Sequence, residues 1–255
     1  MIMFGICNLS IVPIYLEPSH KSEMVSQLLF GEHFQIIEQK DNWINIKIVF
    51  DKYQGWIEQK QFQSISETGF QLLSSKRTTL NADLVEYISG KNNVLFPIPL
   101  GASLTFLDIP KINTSKFTFE GNETYEQKPR SEILKTAFMY LNTPYLWGGK
   151  TPFGTDCSGF TQMVYKLCGY PILRDASQQA TQGEVLTFIE EAEAGDLAFF
   201  DNENGEITHV GILMNNNYIV HAHGKVRVDK LDHFGIMNTE TNKHTHKLRI
   251  IRKIL

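Results

Sequence analysis

Three side chains in this sequence have the types and spacing of a nucleophile, a base and an orienting group. In GTDCSGFTQMVYKLCG (154–169), Cys157 stands between Asp156 and Ser158 at the start of an amphipathic helical pattern. A cysteine attacks as thiolate, and a helix N-terminus with a nearby imidazole is the usual way to lower its pKa below roughly 8.5. Asp156 is a candidate N-cap, and the unpaired N–H groups of a first helical turn favour negative charge. Taken alone, this segment leaves Cys157 equally readable as a nucleophile or as a small core residue, since free cysteines are often buried.

Two histidines separate those readings. His209 in ITHVGIL and His221 in IVHAHG are polar residues set into apolar runs where core residues are expected. If the runs pair as antiparallel strands, the 221 − 209 = 12 positions between them bring both rings to one face. His209 is then placed to take the thiol proton and His221 to hold its ring in the useful tautomer. A single strand histidine reads as a structural residue; the pair together with Cys157 specifies acyl transfer. His223 shares the face of His221 nearer the strand end, while His20, His33, His233, His244 and His246 are expected on the surface. Cys168 has no helix start or histidine motif beside it and reads as a core residue.

The elements that must hold these groups come late in the chain. SEILKTAFMYLN (131–142) has helical spacing with Ser131 as a candidate N-cap, and a second helix is expected from about Cys157 to Leu167, ended by Gly169 and Pro171. GDLAFF, THVGILM and YIVHAHG follow as antiparallel strands, the first two joined by the polar turn DNENGE. Helices before a sheet is the α+β order. Residues 1–65 instead contain short β-rich runs, with period-two alternation around Trp43, Ile44, Ile46 and Ile48, and suggest a small barrel. A further strand-like stretch, 66–124, carries Pro97, Pro99 and Pro110, which confine its strands to edges or ends.

The chain's 255 residues suffice for two or three small domains, and a net charge of −4 with dispersed charges offers neither a nucleic acid stripe nor a polybasic membrane segment. Three cysteines, an odd count without a C-x-x-C pair, point to neither a disulfide framework nor zinc. The apolar N-terminal run holds Pro13 and has no basic residue before Lys21, so it reads as a strand rather than a signal peptide. The expectation is a soluble, cytoplasmic protein with no nucleic acid or membrane partner.

From about 130 to 235 the motifs TPYLWGGKTPFGTDCSGF, GDLAFF, THVGIL and YIVHAHG resemble those of the NlpC-type family of papain-like cell-wall cysteine peptidases. The resemblance implies a papain-like α+β catalytic domain at 125–255, preceded by bacterial SH3-like barrels at 1–65 and 66–124. Cys157, His209 and His221 fall on the family's catalytic positions, and Tyr145 on a residue that helps bind the oxyanion beside the Cys157 N–H. Trp147, Asp156, Ser158 and Ser177 become candidates for the substrate pocket, with packing as the alternative for the aromatics and N-capping for Asp156. Arg174 in RDASQQ reads as a solvated surface residue that could also steer carboxylates. HKSEMVSQLLFGE and DKYQGWI resemble SH3-like segments in which Glu23 and Tyr53 would hold the substrate's amino group. The subgroup acts as γ-D-glutamyl-L-diamino acid endopeptidases on peptidoglycan stem peptides with a free N-terminal L-Ala, without metal or cofactor, in recycling of wall fragments. An amidase, a wall endopeptidase or an acyltransferase with the same triad, or a non-catalytic fragment-binding protein, are the alternatives.

Overall fold

Why the first segment becomes a sheet is visible in β5 (Trp43–Ile48), where Ile44, Ile46 and Ile48 are buried and the residues between them are half-buried. The computed structural model describes residues 3–255, without the side chain of Asn92; Met1 and Ile2 of the expected N-terminal strand lie outside the described residues. That apolar run forms two strands, β1 (Met3–Ile6) and β2 (Ile11–Tyr15). With β3 (Met24–Leu29), β4 (His33–Lys40), β5, β6 (Gln54–Glu58) and β7 (Gln63–Ile65) they make a sheet in the order β3-β2-β6-β5-β4-β1-β7. Pro13, which lacks an N–H, pairs with Gln27 of β3, while β2 meets β6 only at Tyr15. The apolar interior includes Val12, Ile14, Leu28, Phe34, Ile44, Ile46 and Ile57.

The second segment begins with a helix that the strand pattern does not foreshadow, α1 (Glu67–Ser75), capped by Ser66, whose Oγ accepts the Gly69 N–H. Its strands are short: β8 (Leu80–Asn81), β9 (Val85–Ser89), β10 (Leu95–Pro99), β11 (Thr118–Phe119) and β12 (Glu123–Thr124). Pro97 and Pro99 lie on β10, an edge strand of the three-stranded sheet β10-β9-β11. Leu73, Ile88, Ile98, Leu104, Phe106 and Ile112 pack together with Ile6 and Phe30 of the first segment. The two β-rich segments therefore share a core, and the chain up to Glu126 is one compact unit. Gly31 secures that join: it has φ +75°, and a Cβ there would lie 1.8 Å from the carbonyl oxygen of Ser103.

The second compact unit starts at Gln127. It opens with α2 (Ser131–Phe138), in which Ser131, the expected N-cap, is already helical and the cap position falls on Arg130, which makes no side-chain capping bond. The small hairpin β13 (Lys150–Thr151) and β14 (Gly154–Thr155) leads into α3 (Cys157–Leu167), followed by the short α4 (Ala176–Gln179). An amphipathic α3 is expected, but every residue of it is buried. Several of its polar groups bond within the fold: Thr161 donates to Gln179 and to the Ser158 carbonyl, and the Gln162 Nε2 donates to the Ile172 carbonyl.

Against α3 lies a sheet of β15 (Glu184–Leu186), β16 (Leu197–Asp201), β17 (Ile207–Met214), β18 (Tyr218–His223), β19 (Lys225–Leu231), β20 (Gly235–Asn238) and β21 (Lys243–Lys253). Their order is β15-β21-β16-β17-β18-β19-β20, and β20 pairs back onto β21, closing the sheet. No helix among the described residues is long and apolar enough to cross a membrane.

Candidate active site

Cys157 is the first residue of α3, and its position is fixed by the residue before it. Asp156 caps the helix: its Oδ1 accepts the Gly159 N–H at 2.6 Å. The same carboxylate accepts the Gly148 N–H at 2.8 Å on Oδ2 and a forked pair of bonds from Arg174, NH1 to Oδ1 at 3.0 Å and NH2 to Oδ2 at 2.6 Å. Arg174 also donates to the Ser158 hydroxyl at 2.9 Å. The expectation of a solvated Arg174 is corrected here: the side chain is 1% exposed, because a buried carboxylate needs a buried cation. Gly159 permits the approach of the preceding loop, since a Cβ there would lie 2.2 Å from the Gly149 carbonyl oxygen.

His209 on β17 and His221 on β18 meet as the strand pairing requires, with His209 Nε2 and His221 Nδ1 2.8 Å apart and the rings nearly perpendicular. Gly211 sits directly opposite His221, and a Cβ on it would come within 2.9 Å of the His221 Cβ. The glycine in HVGIL is thus the space that His221 needs. The Cys157 thiol lies against β17, where the N–H of Val210, next in chain to His209, bonds to the sulfur.

Two further partners escaped the sequence reading. His221 Nε2 lies 3.0 Å from Oδ2 of Asp229 on β19, a fully buried carboxylate. His246 on β21, expected on the surface, is half-buried and stacks on His209 with ring centres 4.1 Å apart and an interplanar angle of 24°. It arrives there because β21, besides its hairpin with β20, pairs with β16 beside β17, a long-range pairing with no local signal. His33, also expected on the surface, is half-buried in the other unit, with Nε2 3.0 Å from the Ser74 hydroxyl.

The remaining predicted residues are distributed unevenly. Tyr145 is half-buried near Cys157 and Asp156: burial, and next the charges of these two groups, push its phenol upward. Trp147 is 58% exposed, and Ser177 is exposed on α4. The Ser158 hydroxyl is buried and lies 3.3 Å from Asp156 Oδ1, within the Arg174 network. Glu23 and Tyr53 belong to the N-terminal unit. Glu23 is exposed just before β3, with its carbonyl accepting the Leu16 N–H, and Tyr53 is half-buried just before β6.

Burial dominates the protonation of the pair. It pushes the Cys157 thiol up to about 12, Asp156 adding to the rise, against the backbone N–H groups of Val210 and Ser158 and the Arg174 charge. Burial likewise holds His209 well below the ordinary imidazole range, helped by His221, His246 and His223. The helix start therefore does not outweigh burial at Cys157. Both shifts favour the uncharged forms, a neutral Cys157 thiol and a neutral His209 ring.

Residues 142–246 match the NlpC/P60 family, and residues 14–62 match the bacterial dipeptidyl-peptidase SH3 domain. The C-terminal unit is an NlpC/P60 domain. The whole chain is similar in fold to an NlpC/P60 family protein from Bacillus cereus ATCC 10987, with a TM-score of 0.79 over 99% of both chains at 18% identity. Among curated relatives, dipeptidyl-peptidase 6 of Lysinibacillus sphaericus is 27% identical over 86% of this chain and 88% of its own. The γ-D-glutamyl-L-lysine dipeptidyl-peptidase of Bacillus subtilis is 29% identical over 77% of this chain and 71% of its own. An NlpC/P60 cysteine peptidase domain thus follows an SH3-like β-rich unit, a mixed α/β architecture with few helices.

Proposed function

We propose that this NlpC/P60 protein hydrolyses the γ-D-glutamyl-L-diamino acid bond of peptidoglycan stem peptides bearing a free N-terminal L-Ala, in the recycling of wall fragments. The observation that carries the reading is the likeness to two dipeptidyl-peptidases across most of this chain, SH3-like and peptidase segments together. In this reading Cys157 Sγ attacks the γ-carbonyl of D-Glu as its proton passes to His209, whose ring is held by His221. The Cys157 N–H and the Tyr145 hydroxyl receive the developing oxyanion. His209 returns the proton to the leaving α-amine of the diamino acid, and water activated by the same ring then hydrolyses the thioester.

Trp147, Asp156, Ser158 and Ser177 remain the proposed surroundings of the dipeptide. Asp156 and Ser158 serve through the Arg174 network that sets the Cys157 loop. Glu23 and Tyr53 are the proposed partners of the substrate ammonium, a charge-assisted pairing that an acylated amine cannot make. The test incubates the protein with L-Ala-γ-D-Glu-meso-diaminopimelate and with its N-acetylated form, following both by mass spectrometry. Release of L-Ala-D-Glu from the free peptide alone is expected, lost in Cys157→Ala. Equal cleavage of both forms would remove the free-amine requirement, and cleavage of neither would overturn the substrate.

A further inference from the structure

The buried carboxylate behind His221 has no part in a cysteine–histidine–histidine description of the site. Asp229 is fully buried on β19, and its two oxygens have different company. Oδ1 accepts from the Thr239 N–H at 2.8 Å, the Thr239 hydroxyl at 2.9 Å and Arg227 NH2 at 3.1 Å. Oδ2 faces His221 Nε2 at 3.0 Å, with Arg227 Nε beside it as an ion pair at 2.8 Å. Burial alone would raise this carboxyl, but the bonds from His221, Thr239 and Arg227 overcome it and hold the group well below the usual carboxylate range.

An ionised carboxylate only accepts, which fixes every proton up the chain. His221 must carry its proton on Nε2 to donate to Oδ2, so its Nδ1 is a lone pair. That lone pair is 2.8 Å from His209 Nε2, which must therefore carry the proton of the neutral His209 ring. The Nδ1 of His209 is left as the bare nitrogen, the one able to take a proton from a thiol. We propose that Asp229 is a positioning residue for the reaction, setting the tautomers of His221 and His209 so that His209 presents a free base. The inference rests on the assignment of Cys157, His209 and His221 as nucleophile, base and orienter.

The asymmetry of the two oxygens makes the proposal unusually testable. In Asp229→Asn the Oδ1 position, with three bonded donors against His221 Nε2 and the Arg227 Nε at Oδ2, keeps the amide oxygen, and the amide NH2 faces His221 Nε2. The NH2 donates to that nitrogen, His221 shifts its proton to Nδ1, and His209 is left with its proton on the nitrogen that should be bare. Asp229→Ala forces no tautomer and lets either form. A group needed only for packing or charge balance would give the opposite ranking, because Asn is the closer isostere.

The experiment measures the rate at which iodoacetamide alkylates Cys157, read by peptide mass mapping, in wild type, His209→Ala, D229N and D229A, with thermal unfolding of each. Histidine tautomers in the wild type are read by long-range nitrogen-15 correlation spectra at neutral pH. Expected are a loss of about 100-fold or more in D229N and about tenfold in D229A, with His221 protonated on Nε2 and His209 on Nε2 in the wild type. Wild-type reactivity in folded D229N, a D229A variant slower than D229N, or the reverse tautomers would each overturn the proposal. Alkylation unaffected by His209→Ala would instead sink the base assignment on which it rests. Since alkylation needs no peptide, these outcomes are separate from any failure of the substrate assignment.

Discussion

His246 covers one face of His209, the proposed base, and so affects how readily that ring takes a proton. Burial holds His246 itself at about 4, so at neutral pH it is an uncharged lid on the His209 ring rather than a second cation. Removing it admits water to His209 and deletes a neighbour that disfavours the imidazolium; both changes raise the pKa of the base. His246→Ala should therefore move the acid limb of the kcat/KM profile to higher pH, toward the ordinary imidazole value of about 6.5. His246→Phe keeps the ring covered while removing the second imidazole, and should move that limb less than His246→Ala does. Profiles of both variants check this, and an unmoved limb in His246→Ala would show the stacking to be incidental.

At the scale of elements, the site depends on a buried ion pair that joins the Cys157 helix to the segment before α4. Arg174 and Asp156 are bonded by a two-pronged contact, and each is almost wholly removed from water. Replacing Arg174 by Met leaves the Asp156 carboxylate buried without its cation, a change that costs about 3–5 kcal/mol in comparable sites. Urea unfolding of Arg174→Met should show that loss, and cleavage should fall with it because the Asp156 cap positions Cys157. A loss below about 1 kcal/mol, the range of exposed pairs, would contradict the burial. The same elements show what sequence could reveal. His209 and His221 stand out because each breaks an apolar pattern on an element whose type is locally legible, and together they single out Cys157 at its helix start. Arg174 does not, since RDASQQ has the composition of a surface turn and only a carboxylate 18 residues earlier makes its burial tolerable. Asp229 in VRVDKL likewise reads as an ordinary strand acid until pairing brings β19 beside β18. Gly159 and Gly211 are legible as glycines but not as clearances, because the atoms they make room for lie on other segments.

On the scale of the whole chain, the order of β-rich segments before an α+β unit was readable from periodicity, while features made by long-range closure were not. The shared core of the first two segments depends on Ile6 and Phe30 meeting residues of the second segment, and β21, beyond the last motif of the family resemblance, reaches back to pair with β16. Each unit buries an imidazole in the process. His33 in the N-terminal unit and His246 in the C-terminal unit are both held at about 4 rather than 6.5, burial being the largest cause in each. The sign of the consequence follows from proton counting. Between these two values the unfolded chain binds protons that the folded chain refuses, so stability falls as pH drops from 6.5 toward 4 and levels off once the folded rings protonate. Buried His209 and His221, both lowered as well, act in the same direction. Thermal unfolding at constant ionic strength should therefore give a lower Tm at pH 5 than at pH 7. His33→Phe and His246→Phe, each removing one refused proton, should narrow that gap; a gap unchanged in both would assign the acid sensitivity to other groups.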